Sequence, residues 1–505
     1  MTRESSFPQW RQRQERGSAD NAGYSSLGQR TAAGAPGDHG VRPDGTPDLA
    51  TLGQSAAMTG NPESGARARS PRVSSGEDMN ALIARLFPIC RSITGPGVRE
   101  TLKILSEVHP IQVTEIPSGT PVFDWVVPKE WSVRDAYVKN ARGERIIDFR
   151  RHNLHLLNYS VPVRARMKLG ELQDHLYSLP DKPDVIPYRT SYYAERWGFC
   201  VTHAQRLALD PQETVEVVVD STLQDGSLTI GEIVLPGESR DEILVSTHVC
   251  HPSLCNDNLS GLVMAVHLAA ATAARPRRLS YRFLFIPGTI GPLAWLATNE
   301  EKVRHIKAGL VVTGVGDAGA ITYKKSRRGD AIVDRAAAHV LRTSGRPHRV
   351  IEFHPYGYDE RQFCSPGFNL GVGRFSRTPH GEYPEYHTSG DNPDFVKPEQ
   401  LEDSFEAISA ILEAVEQDGR YLSLNPKGEP QLGKRGLYRQ VAGQAQSQPD
   451  ETALLWVLAY SDGHHSLLDI AEKAALPFPR IRNAADRLRQ HDLLREIADS
   501  LVSAP

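Results

Sequence analysis

Residues 241–261, DEILVSTHVCHPSLCNDNLSG, open with an apolar run of strand length, cross a polar loop and lead into SGLVMAVHLAAATA, which ends at residue 273. A buried strand feeding a helix across such a loop is the repeating unit of an α/β sheet. The alternation continues. YRFLFI (281–286), GLVVTGV (309–315) and FNLGVGRF (368–375) read as strands; GPLAWLATNEEKV (291–303), IVDRAAAHVLRTS (332–344) and PEQLEDSFEAISAILEAVEQ (398–417) read as helices. Apolar strands interleaved with helices predict an α/β fold, a mainly parallel sheet flanked by helices. Ligands in such sheets gather beyond the carboxyl ends of strands.

Outward from this core the texture changes. Residues 1–77 are rich in Gly, Ser, Ala, Arg and Pro without apolar periodicity, and are expected to be disordered. Leu82, Ile83, Leu86 and Phe87 begin a helical pattern, and VRETLKILSEV gives a second helix after Gly95–Pro96–Gly97. The α/β domain is therefore expected over 78–121 and 236–425. Between its halves, 122–235 holds short alternating runs broken by Pro, Gly and Asp, which predict an inserted strand-rich subdomain. Residues 426–505 are read as a linker and a winged-helix domain, with helices in DETALLWVLAYSDG, SLLDIAEKA and PFPRIRNAADRLRQHDLL.

The net charge of −3 is spread evenly, so neither nucleic acid nor membrane is expected as a partner. Five cysteines in 505 residues do not form a disulfide framework and fit a reducing cytoplasm. The first residues lack a secretory apolar core, and no run reaches the roughly 18–20 apolar residues that span a bilayer. A cytoplasmic location is expected.

The densest polar cluster, STHVCHPSLCNDNLSG (246–261), runs from a strand end to a helix start. His248 and Asp257 can converge across it, offering the nitrogen and oxygen that catalytic zinc selects. His251 is equally open to that role; His248 is preferred because it directly ends the strand. Asn256 and Asn258 can steady Asp257 from behind, and Gly261 lets the helix approach the sheet. A second long polar loop, RTPHGEYPEYHTSGDNPDF (377–395), supplies His387 as the remote ligand. His380, Glu382 and Glu385 are candidates for substrate contact or proton transfer, and Tyr383, Tyr386 or Arg361 for steadying an oxyanion. Asp317 ends a strand, as a ligand or as the cap of a turn. Asp359, Glu360 and Arg361 form a further polar turn, suited to a substrate terminus or a local ion pair.

These segments resemble a bacterial family of zinc-aminopeptidase-like proteins, relatives of the di-zinc aminopeptidases, with an inserted domain and a C-terminal winged helix. The resemblance runs from about Met79 to Ile497, through LFPICRSITGPGVRETL, PYRTSYYAERWGFC, STHVCHPSLCNDNLSG, PYGYDERQFCSPGFNL and RTPHGEYPEYHTSGDN. It implies one or two zinc ions on His248, Asp257 and His387, with Asp257 as the bridge if two bind and Asp317 on the second. It also exposes a departure. Where the family reads Pro-Glu-Thr-Ile-Gly, this chain has Pro287–Gly288–Thr289–Ile290–Gly291. Loss of a general base costs about 10²–10⁴ in rate, so either Glu382 or Glu385 substitutes, or the reaction is slower or altered, or the protein has become a binding module; Gly288→Glu is expected to raise hydrolysis.

The function implied is hydrolysis of an amide in a small peptide or aminoacyl compound, within a biosynthetic pathway. The alternatives are a catalytically silent metal- or ligand-binding scaffold and a DNA-binding regulator with a peptidase-like sensor. For the latter, Arg480, Arg482, Arg487 and Arg489 could meet phosphates, but Asp486, Asp492 and Glu496 dilute them. The winged helix is otherwise expected to serve a homo-oligomeric or protein contact.

Overall fold

The computed structural model describes residues 75–437 and 449–497. Of the segment 1–77 expected to be disordered, residues 1–74 lie outside those described, as does part of the expected linker, while Ser75, Gly76 and Glu77 begin a helix instead. The first helix, Gly76–Leu86, starts at a capping box in which Ser75 and Asp78 satisfy each other's backbone.

Eight strands form the main sheet, in the order Gln112–Pro117, Ser227–Leu235, Ser280–Ile286, Glu242–His248, Ile306–Val312, Val372–Ser376, Ile321–Lys324 and His348–Ile351. The four strands from Ser280–Ile286 to Val372–Ser376 pair in parallel. Antiparallel pairs flank them, so the sheet is parallel at its centre and mixed overall. The strand Ser227–Leu235, expected in the insert, belongs to this sheet instead. Its alternating pattern is that of any half-covered strand, and only its partners distinguish the two settings.

Period-two alternation divides the core. Ile243, Val245, Phe283 and Phe285 pack with the helices Gly76–Leu86, Ser260–Ala273, Ile332–Ser344 and Pro398–Gln417. Leu244, Leu284 and Ile286 pack on the other face, with Trp295 of Ile290–Thr298 and residues of the insert. Strands covered on both faces have no polar side, which is why Ser280–Ile286 is buried at every position.

The insert centres on an antiparallel sheet ordered Arg145–Asp148, Glu130–Lys139, Thr214–Gln224 and Val163–Lys168. Among its aromatics, Trp197 stacks on His175 with ring centroids 3.6 Å apart, and Tyr193 packs against Trp125. Tyr192 joins its hydroxyl to that of Tyr188 at 2.9 Å.

The tail has three helices, Pro449–Tyr460, Leu467–Ala474 and Phe478–Gln490, and a sheet ordered Asp462–Ser466, Arg420–Ser423, Leu494–Ile497. Its middle strand follows the long helix Pro398–Gln417 after two residues. Arg335 reaches from Ile332–Ser344 to Asp469 and Glu472, at 2.6 and 2.5 Å. No helix among the described residues is long and apolar enough to cross a membrane.

Gly261 shows how closely helix and sheet approach. A Cβ there would stand 2.4 Å from Asn258 Oδ1 and 2.6 Å from the Val312 carbonyl. Backbone must move to admit it, so Gly261→Ala is expected to cost about 1–3 kcal/mol. A urea midpoint unchanged from wild type would refute that close approach.

Candidate metal centre

The site lies where the sheet opens at the carboxyl end of Glu242–His248. His248, 3% exposed, places Nε2 2.9 Å from Asp257 Oδ1. The chain then turns through Pro252 and returns at the head of Ser260–Ala273. This return brings His251 Nδ1 to 2.9 Å from the Asp257 carbonyl and 3.2 Å from its Oδ2. Arg91, fully buried, fixes the turn by donating from Nε to the His251 carbonyl (2.8 Å) and from Nη1 to the Leu86 carbonyl (2.8 Å). That is the work of the LFPICRSITG segment.

His387 approaches from the second loop, its Nε2 3.0 Å from Asp257 Oδ2. The approach is off the hydrogen-bonding directions, so Asp257 Oδ2 and His387 Nε2 are both buried without a hydrogen-bond partner. His387 holds a left-handed backbone, φ +53°, a conformation costing non-glycine residues about 1–3 kcal/mol. The insert over-determines it: the Tyr188 N–H donates to the His387 carbonyl (2.7 Å), and Ser389 exchanges bonds with Ile186 at 2.8 and 2.9 Å. Tyr386 stacks on the ring at 3.9 Å. The His387 side chain is 35% exposed, so the centre meets solvent on that side.

Asp257 itself has no exposed surface. Burial works against its charged form, yet His251, His248 and His387 together hold its carboxyl well below the usual carboxylate range. His248 is held below the ordinary imidazole value, chiefly by burial. His251, which burial would also lower, is pushed well above it chiefly by the Asp257 carboxylate. The donor set is thus an ionised carboxylate with imidazoles around it, one of which carries the neutralising proton.

The structure brings His248, Asp257 and His387 together and adds His251. Asp317 lies apart from them, fully occupied. It accepts from Asn256 Nδ2 (3.0 Å), Thr378 Oγ1 (2.5 Å), the Thr378 N–H (3.2 Å) and the Gly319 N–H (2.8 Å). Expected to hold a second ion, it here anchors the residue beside Asp257. Glu382, expected as a base, is exposed and ion-paired with Arg349, because its loop turns Tyr383 inward and Glu382 out. Glu385 contributes its carbonyl, which accepts from the Thr388 N–H and hydroxyl at 3.0 and 2.8 Å. Tyr383 is buried and stacked on Phe395, and burial raises its hydroxyl pKa well above the usual value. Arg361 has a buried Nε without a hydrogen-bond partner.

Two carboxylates matter more than the sequence suggested. Asp391, no part of it exposed, accepts the N–H groups of Asn256 (2.6 Å) and Asp257 (2.9 Å), and burial pushes its pKa up to about 7. Its signal was its place four residues after His387. Asp359, 2% exposed, faces the glycine that replaces the expected Glu. A Cβ on Gly288 would sit 3.2 and 3.3 Å from its two oxygens and 3.5 Å from His248 Cβ. Burial, then the neighbouring Glu360 charge, push Asp359 up to about 7. Tyr358 beside it stacks on His248, with ring centroids 5.1 Å apart, and its hydroxyl lies 3.3 Å from Asp257 Oδ1.

Residues 80–418 match a family described as a domain of unknown function (DUF4910), and residues 419–496 match a winged helix-turn-helix family. A Clostridium acetobutylicum protein, a candidate polysaccharide biosynthesis protein with an aminopeptidase-like domain, is 49% identical over 83% of this chain and 96% of its own. The crystal structure of a candidate peptidase from the same organism is 48% identical, covers 84% of this chain and 96% of its own, and superposes with a TM-score of 0.80. BSAP, a zinc aminopeptidase from Bacillus subtilis, shares the fold at 13% identity and a TM-score of 0.50, over 68% of this chain and 95% of its own.

Proposed function

The chain belongs to the DUF4910 family, and on that premise we propose that it is a zinc-dependent, aminopeptidase-like hydrolase cleaving an amide bond in a small peptide or aminoacyl compound. The observation that carries the reading is the buried Asp257 carboxylate, met by three imidazoles, with Oδ2 lacking a hydrogen-bond donor. A buried carboxylate needs counter-charge, and imidazole nitrogen with carboxylate oxygen is a donor set that zinc selects. The aminopeptidase-like relative and the zinc aminopeptidase fold support the same reading.

The residues present fit one ion. A second would need Asp317, whose oxygens are already taken, and a side chain at Gly288, which has none. A bound ion lowers the pKa of a coordinated water towards about 7 and polarises the scissile carbonyl. The protein's own part is positioning and proton transfer. Asp391 fixes the Asp257 backbone, and Asn258 bonds Thr247 Oγ1 (2.7 Å) and the His248 carbonyl (3.1 Å), holding both ends of the loop. Asp359 takes the proton of the attacking water and returns it to the leaving amine. Tyr358 and Arg361 steady the developing oxyanion.

The tail is read as a brace and protein-contact element, not a DNA reader. Arg482 pairs with Asp486 at 3.0 Å and donates to the Gln417 carbonyl at 3.1 Å, and Arg489 pairs with Glu496 at 3.0 Å. Of the four arginines suited to phosphate, Arg482 is thereby tied to the fold and Arg489 to a surface ion pair.

The test is elemental analysis of the full chain, then a screen of dipeptides and aminoacyl amides. About one zinc per chain is expected, with hydrolysis abolished by chelator and restored by zinc. Absence of metal refutes the reading. Metal without hydrolysis leaves the scaffold alternative in its place.

A further inference from the structure

Beside the metal centre, the antiparallel pair formed by Ile321–Lys324 and Val372–Ser376 sets Lys324 directly opposite Arg374. Both cations are 1% exposed. Like charges facing across a ladder repel, and buried cations demand partners. Lys324 has one: its Nζ donates to Glu360 Oε1 at 2.8 Å and to the Tyr356 carbonyl at 3.0 Å. Among the described residues, Arg374 has no carboxylate within ion-pairing distance. Its Nη1 lies 3.0 Å from His380 Nδ1, its guanidinium sits over the Tyr358 ring at 5.7 Å, and its Nε is buried without a partner.

The charges around this cluster leave a surplus. Glu360 is committed to Lys324, Asp257 to the three imidazoles, and Asp359 stands beside Arg361 and Gly288. His380 is held near 4 by burial and by Arg374, so it is neutral and adds no charge. Two cations and one carboxylate leave one positive charge uncompensated inside the protein. Tyr358 links this charge to the centre, since it touches Arg374, His248 and Asp257. The exposed Tyr356 borders His380 at 5.3 Å and marks the solvent side.

We propose that Arg374, with Lys324 behind it, is the seat for a carboxylate on the substrate, so that this hydrolase acts on small amides bearing a negative charge near the scissile bond. A guanidinium offers a planar fork matched to a carboxylate, and the surplus of one charge suits a monoanion. The proposal rests on the hydrolase reading for the position of the bond cleaved, but not for the anion seat.

The experiment is calorimetry on full-length, metal-stripped protein, so that no ion competes for the carboxylate. N-acetylglycine is compared with its neutral amide, N-acetylglycinamide. The carboxylate is expected to bind at least about 10-fold more tightly, and Arg374→Gln to bring the two within about 2-fold. Should Arg374→Gln not fold, Arg374→Lys keeps the charge and is expected to retain a smaller preference for the acid. In metal-loaded enzyme, Ala-Ala is expected to be cleaved with a kcat/KM about 10–100 times that of Ala-Ala-amide. Equal binding of the two probes by wild type, no detectable binding of either, or a preference untouched in Arg374→Gln overturns the seat. Inorganic phosphate bound in place of N-acetylglycine overturns its assignment to carboxylate. Anion binding without hydrolysis in any metal state refutes the hydrolase reading alone.

Discussion

Asp257→Asn is expected to yield a folded protein that releases its zinc on dialysis, with metal affinity lowered more than about 100-fold and amide hydrolysis lost with it. Outer-shell partners of metal ligands already cost about 10–100-fold when removed, which sets the floor for the residue at the centre. Asp257 is the one anion that His248, His251 and His387 share. Asparagine preserves the shape and removes the charge, so the loss is electrostatic rather than steric. Asp391→Asn is the internal comparison. Its carboxylate accepts the N–H groups of Asn256 and Asp257, and its loss of affinity should fall in the 10–100-fold range, smaller than that of Asp257→Asn. Elemental analysis after dialysis, and competition with a chromogenic chelator, read both. Asp257→Asn that keeps a full complement of zinc would end the assignment.

The same charges predict how affinity varies with pH. The proton on His251 and a metal ion compete for one carboxylate and one ring. Asp257 raises the His251 value above that of a free imidazole, so protonation persists to higher pH than usual. Affinity for zinc should climb as pH rises through that value. In Asp257→Asn the source of the shift is gone, and the dependence should move towards lower pH.

What could be read from the chain, and what could not, divides along physical lines. A strand buried on both faces announces itself by composition, as Ser280–Ile286 does, and the strand-end loop at 246–261 follows from it. Ligand-type residues on two strand-end loops meet because both loops leave the same edge. Pairing partners are another matter. Ser227–Leu235 carries the same alternation whether it lies in the insert or in the main sheet, so only the fold assigns it. The orientation of the expected bases was hidden for a related reason. Glu382 and Glu385 are near His387 in sequence, but their loop reverses direction, and nearness along the chain gave no orientation. Asp359 is distant from both Gly288 and His387 in sequence. Its proposed role rests on its facing that glycine from the head of another helix, Glu360–Phe363.

That facing carboxylate reverses the expectation for restoring glutamate. Gly288→Glu alone must push a Cβ to within 3.2 Å of Asp359 and set two carboxylates side by side in a buried place. Like charges so close cannot both ionise, so the single substitution is expected to lower activity, not to raise it. Asp359→Asn is expected to reduce kcat/KM by about 10²–10⁴ while zinc content stays at the wild-type level. The sign of the pH effect follows from the shift. A base pushed up to about 7 is protonated, and idle, below that pH; the wild-type rate should therefore rise as pH increases towards neutrality. A nearby cation favours the ionised form and moves this limb downward, so it should lie at or below about pH 7. Asp359→Asn should lack the limb, a change that mere loosening of the fold would not produce. The double variant Gly288→Glu with Asp359→Gly exchanges the two positions. It removes the clash and returns a carboxylate to the same volume from the opposite wall, and is expected to recover at least about 10-fold of the rate lost in Asp359→Asn. A pH profile identical in wild type and Asp359→Asn would show that the proton goes elsewhere, whatever the exchange variant does.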